Sequence, residues 1–184
     1  MANFNEAFEK LLELEFNSKE NALHHNEGED GWTFMGVYQK YHPDSIIWRN
    51  LKAYKMIARD EKELSKLMYN NAENQNQVRK IYKEEYWDKA RLDDIESQKI
   101  ANNIFVFGVN AGLKTAVKIA QRLVKTKPDG IVGNKTIKAL DCVDEDYFVK
   151  EYKERVKNYY VNLAINNSKY RKFLDGWLNR VELT

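Results

Sequence analysis

Residues 23–38 read Leu-His-His-Asn-Glu-Gly-Glu-Asp-Gly-Trp-Thr-Phe-Met-Gly-Val-Tyr. Two histidines, three carboxylates, a threonine and three glycines sit together just after an apolar helical pattern, a composition suited to a site on a loop beside a rigid element. Three chemistries compete for reactive residues in this chain. A metal site would draw on His24, His25 and the acids, but adjacent helical histidines diverge by about 100° and rarely share one ion. His42 is the only other histidine and no His-Glu-x-x-His motif occurs. Nucleophilic catalysis would fall to Cys142, which sits among acids that disfavour a thiolate. Acid/base catalysis by a carboxyl would fall to Glu27: at the end of a buried helix, facing aromatic walls, desolvation would keep it protonated. Gly28, Gly31 and Gly36 would let a substrate approach closely.

Such a loop needs a frame, and apolar spacing predicts a helical one. Phe4, Phe8, Leu11, Leu12 and Phe16 share one face of a first helix. Ile46, Ile47, Leu51, Tyr54 and Ile57 mark another, and Asp60 with Glu63 has capping-box spacing before Leu64, Leu67 and Met68. Val78, Ile81, Tyr82 and Tyr86 predict a helix ending near Trp87. Residues 94–112 form the expected central buried helix, closed by Gly112. A helix over 114–124 ends at the Lys-Pro-Asp-Gly turn of residues 127–130, Lys135 and Thr136 begin the next, and longer helices follow over 144–165 and 167–181. No alternating apolar run flanks an Asn-Gly or Asp-Gly pair, so no β-hairpin is expected. The fold class is all-α, compact, with about eight helices.

Composition narrows the function. At 184 residues with 43% hydrophobic and 12% aromatic residues, the chain can build a sizeable core. Its 30 basic and 28 acidic residues leave a net charge of +2, against a nucleic-acid binder acting through bulk charge. The single cysteine excludes an internal disulfide. The N-terminus mixes acids with apolar residues, so it is not expected to be a secretory signal. No apolar run approaches the roughly 18 residues of a membrane span.

Several motifs resemble those of one family. Glu27-Gly28 followed by Thr33-x-x-Gly36-Val37 resembles the Glu-Gly-Gly … Thr-x-x-Gly-Ile signature of glycoside hydrolase family 108, phage endolysin-type N-acetylmuramidases also called secretion activator proteins. In order along the chain, Ile81-Tyr82-x-x-x-Tyr86-Trp87 resembles its Tyr-Trp segment and Phe107-Gly108-Val109-Asn110-Ala111-Gly112 its Asn-x-Gly helix end. Ala120-Gln121-Arg122-Leu123, Asp129-Gly130-Ile131-Val132-Gly133 with Thr136, and Phe173–Arg180 resemble the peptidoglycan-binding region that follows. The chain departs from the pattern at Glu29, where the family has a second glycine, at Val106, where it often has an acid, and in a shorter loop before Thr33.

The resemblance implies a lysozyme-like fold and hydrolysis of the β-1,4 bond between N-acetylmuramic acid and N-acetylglucosamine. Glu27 would be the general acid, with Asp30, Glu29 or Thr33 positioning or activating water, and an inverting route is favoured. Trp32, Tyr38, Tyr86, Trp87 and Asn110 are expected to line a sugar groove, with Tyr41 and Trp48 as further aromatics, while Trp177 and Phe173 belong to a core. Residues 1–90 would form the catalytic region and 91–184 a peptidoglycan-binding-like region packed on it. Lys114, Lys118, Arg122, Lys125 and Lys127 would share an exposed stripe able to attract an anionic wall. No cofactor or metal is expected. The partners would be peptidoglycan glycan strands, with a holin for export; nucleic acid is not expected as a partner, and the chain would be monomeric. The protein would be made in the bacterial cytoplasm and act at the cell wall or periplasm after release. The rival expectation is a catalytically inactive peptidoglycan-binding or secretion-helper protein of the same fold.

Overall fold

The computed structural model describes all residues except 16, 17 and 26–29. Among the described residues it has nine α-helices and a small three-stranded sheet, and it divides into two compact units. The all-α, lysozyme-like expectation holds in outline. No described helix is long and apolar enough to cross a membrane.

The first unit, Leu12–Tyr82, is built round an antiparallel sheet of β1 (Leu23–His24), β2 (Thr33–Phe34) and β3 (Val37–Tyr38). This sheet corrects the expectation that no hairpin exists. Phe34 pairs with Val37, so Met35 and Gly36 alone form the turn. Both have positive φ, 47° and 79°, the combination of a type I′ turn whose twist matches the strands it joins. Methionine is an uncommon residue there, which is why the turn has no sequence signature. Tertiary contacts hold it: Tyr82 Oη donates to Met35 O at 3.0 Å, and Met35 N–H donates to Ala22 O at 2.7 Å. A Cβ on Gly36 would collide with the Tyr82 hydroxyl.

Three helices complete the unit. α2 (Ile46–Tyr54) is capped by Ser45 and buries Ile47, Trp48 and Leu51. α3 (Glu61–Asn70) is capped by Asp60, whose Oδ1 accepts from Glu63 N–H at 2.8 Å. The reciprocal half of the capping box is shifted by one residue, because Glu63 Oε2 accepts from Arg59 N–H at 2.7 Å rather than from Asp60. Ser65 on α3 is buried, donating to Lys19 O and accepting from Leu23 N–H, which pins the start of the sheet to the helix. In α4 (Ala72–Tyr82) the buried Asn74 donates to Met68 O at 3.0 Å and accepts from Asn50 at 2.9 Å. Buried polar groups of this kind must be paired, and these are.

The second unit comprises Met1–Leu11 with Lys83–Thr184. It holds the start of α1 (Phe4–Glu15), then α5 (Gln98–Ala111), α6 (Leu113–Leu123), α7 (Asn134–Cys142), α8 (Glu145–Asn166) and α9 (Leu174–Leu183). α5 is the buried centre, as its apolar run predicts, but it begins at Gln98 after the Ser97 cap rather than at Asp94. The expected helix through Trp87 widens into a π-helical turn over Lys83–Trp87. The last expected helix is split, with a 3₁₀ segment over Ser168–Phe173 preceding α9.

Candidate active site

Side chains alternate across the small sheet. Leu23, Phe34 and Val37 form its buried row. The opposite row is His24, Thr33 and Tyr38, in register across the three strands, with Thr33 in the middle. The same alternation that fills the core therefore presents three polar or amphipathic groups on one face.

Trp32 precedes this row and is half-buried. Its ring meets His25 edge-on at 5.6 Å between centroids, and Lys55 Nζ stands 4.1 Å over it. Its backbone is tied to Gln39 in both directions: Trp32 N–H donates to Gln39 Oε1 at 3.1 Å, and Gln39 N–H donates to Trp32 O at 2.8 Å. Asp30 is exposed, and its N–H donates to Tyr38 Oη at 3.1 Å. Tyr38 in turn packs edge-on against Tyr41. Among the described residues, neither the Asp30 carboxylate nor the Thr33 hydroxyl has a hydrogen-bond partner or ion pair.

Glu27, Gly28 and Glu29 lie outside the described residues. The residues flanking that stretch are both anchored to the sheet, His25 by its ring on Trp32 and Asp30 by its N–H on Tyr38. Asp30, Trp32, Thr33 and Tyr38 thus belong to one neighbourhood within the first unit.

The other three expected site residues belong to the second unit. Trp87 is corrected to a core residue: it is 0% exposed, its ring packs against Phe4 and Phe105, and Nε1 donates to Asp93 Oδ1 at 2.6 Å. It has no face to offer a sugar. Tyr86 is half-buried, and burial, with the nearby Glu85 charge second, raises its phenol above the usual range. Asn110 is exposed at the end of α5, where its Oδ1 accepts from Tyr160 Oη at 2.6 Å. Trp177 stacks on Tyr160 at 4.8 Å.

Lys55, Gln39 and Tyr82 carry no functional signal in the sequence, yet they orient Trp32 and hold the turn. Gln39 follows from the hairpin register once the Met35-Gly36 turn is known. Lys55 and Tyr82 arrive through the packing of α2 and α4. No group of three His, Cys, Asp or Glu that could hold a metal ion occurs among the described residues. Cys142 is a free, exposed thiol.

The Asp129-Gly130 segment is a structural turn. Gln121, buried on α6, donates through Nε2 to Asp129 Oδ1 at 3.1 Å and to Ile131 O at 2.9 Å, and its Oε1 accepts from Gly130 N–H at 2.8 Å. The Ala120–Leu123 and Asp129–Gly133 motifs are thus two sides of one packed junction.

Residues 18–112 match the family model described as "Glycosyl hydrolase 108", more than half the chain. The chain belongs to this glycosyl hydrolase family. Residues 115–182 match a second model, "Predicted Peptidoglycan domain", so α6 through most of α9 carry a different description from the hydrolase region. The solved structure titled "Structure of Brucella abortus SagA" shares the fold, with a TM-score of 0.66 over 97% of this chain and 89% of that chain at 22% identity. No curated protein matches the chain. The family 108 region contains the Glu27 segment, the sheet and all of α2 to α5; the turn and Trp32 contacts described above are features of that region.

Proposed function

We propose that this family 108 protein is an endolysin-type N-acetylmuramidase that hydrolyses the β-1,4 bond between N-acetylmuramic acid and N-acetylglucosamine in peptidoglycan. The observation that carries this reading is the pairing of a glycosyl hydrolase 108 region with a peptidoglycan domain in one chain. Glycoside hydrolysis needs a carboxylic acid to protonate the departing oxygen, and a second group to hold the attacking water. Glu27 is assigned the first task from its place in the family signature. Asp30 and Thr33 are assigned the second, because neither side chain has a partner among the described residues. Trp32, held by Gln39, would stack on the apolar face of a sugar ring, and Tyr38 would border it. Asn110 and Tyr86 are assigned to substrate contact in the second unit. Catalysis is assigned to residues 1–90 and wall contact to residues 91–184. The protein would act at the cell wall, reaching it through a holin-type lesion.

The experiment is loss of turbidity of purified peptidoglycan, comparing the wild type with Glu27→Gln. The substitution preserves shape and removes the transferable proton. Clearing by the wild type that is lost in the variant, while the variant still sediments with the wall, supports the reading. Binding without clearing by either protein, across several wall types, overturns it in favour of a non-catalytic wall-binding protein, the reading that Glu29 and the shortened loop keep in view.

A further inference from the structure

The second unit carries a surface that the proposed catalysis does not use. α6 and α8 bound a groove of about 540 Å³. Lys118 and Arg122 line it from α6, and Arg155, Asn158, Tyr159 and Asn162 from α8. Helical spacing puts each set on one face, four residues apart on α6 and at i, i+3, i+4 and i+7 on α8.

Three features set this groove apart. Its cations are unpaired: among the described residues none of Lys118, Arg122 and Arg155 forms an ion pair. Elsewhere in the same unit Lys83, Arg91, Lys99 and Lys157 each hold a carboxylate. Like charges four apart on a helix repel, so Lys118 and Arg122 do nothing for α6 itself. Tyr159 is held edge-on by Phe107 at 5.5 Å and Tyr160 at 5.6 Å, and its hydroxyl has no partner among the described residues. The groove is thus cationic, has amides to spare and contains one fixed aromatic ring.

We propose that this groove binds the peptide stems of peptidoglycan through their free carboxylates. The inference rests on the wall-binding reading of residues 115–182, which contain all eight residues lining the groove, Thr115 and Ile119 among them. Peptidoglycan presents two chemistries, largely uncharged acetamido sugars and short peptides with carboxylates. Guanidinium groups pair with carboxylates through directed, charge-assisted hydrogen bonds, which a neutral sugar cannot exploit. Asn158 and Asn162 match the amides of a peptide backbone, and Tyr159 supplies an apolar wall for its short side chains. The first unit is equipped differently, with the half-buried Trp32 ring and with a Thr33 hydroxyl and an Asp30 carboxyl that have no partner among the described residues.

The test uses the whole chain carrying Glu27→Gln, so that turnover plays no part. The probes are a synthetic stem pentapeptide with free carboxylates and the same peptide with those groups as carboxamides, titrated by calorimetry and by amide chemical shifts. The free-acid peptide is expected to shift α6 and α8 resonances, and the carboxamide to bind about tenfold more weakly or worse. Arg122→Gln with Arg155→Gln, exposed changes that should leave the melting curve in place, is expected to weaken the free-acid peptide by a similar factor. The inference is overturned if both peptides bind alike, if the double variant binds as its parent does, or if an unrelated glutamate-rich peptide or a chito-oligosaccharide occupies the groove equally well. Sedimentation with whole sacculi separates the two levels. A protein that sediments but ignores the peptide defeats this inference alone, and one that does not sediment defeats the wall reading beneath it.

Discussion

Residues 30–38 and residues 127–133 are both short, bear two glycines and hold one aspartate, and as strings of letters they invite the same functional reading. The fold treats them in opposite ways. In the second segment the acid is consumed locally: Asp129 accepts from Ile131 N–H and from Gln121, and these bonds, the Ile131 N–H foremost, hold its carboxyl below the usual range. In the first segment the backbone is equally well tied, by Tyr82 at the Met35-Gly36 turn and by Gln39 at Trp32, but the side chains are left over. Asp30 and Thr33 have no partners among the described residues, and Trp32 keeps part of its ring exposed. Composition cannot separate a turn from a site; what separates them is whether the polar groups are satisfied inside the fold.

The contrast is open to experiment, and the largest effect is expected at the segment assigned to catalysis. Glu27→Gln should cut clearing of peptidoglycan by about a hundredfold or more, the usual scale for losing a general acid, with little change in thermal midpoint. A fall of only a few-fold would remove Glu27 from that role. At the other segment Gln121→Ala should lower unfolding free energy by about 2–3 kcal/mol, because it strands Gly130 N–H and Ile131 O and removes one of the bonds to Asp129. Denaturant titration measures this, and specific activity of the folded protein should hold. If activity falls and stability does not, the turn is a functional surface after all. Trp32→Ala should act the other way, raising KM about tenfold through a lost ring contact while the denaturant midpoint barely moves.

The smallest effect is a pH dependence. Asp129 titrates below its ordinary value of 3.8 in the folded chain, so its bonds stabilise the fold above that value and are lost as pH falls through the folded pKa. Asp129→Asn should therefore lower the urea midpoint at about pH 6 and have a shrinking effect toward about pH 3. An undiminished difference at the acid end would mean that the charge is not what matters.

Much of the helical frame was legible because its signals are local. Asp60 and Ser45 cap where their side chains can reach a nearby N–H, and the apolar run of α5 requires burial on nearly every side. The hairpin was not legible, since Met35 takes a left-handed conformation supported by the Tyr82 and Ala22 contacts. Nor was the fate of the tryptophans: Trp32 and Trp87 are the same residue type near acids, yet one is half-buried and the other is enclosed by Phe4 and Phe105.

The sequence by itself determined the helical class, the helix ends set by caps and the family, because periodicity, capping and an ordered series of motifs are properties of neighbouring residues. The tertiary structure decided which polar residues remain free to act. That Trp87 is core, that Lys55 stands over Trp32 and that three cations gather between α6 and α8 without an ion pair among the described residues all depend on groups far apart in the chain. Their solvation and pairing are set only when packing brings those groups within hydrogen-bonding distance or keeps them apart.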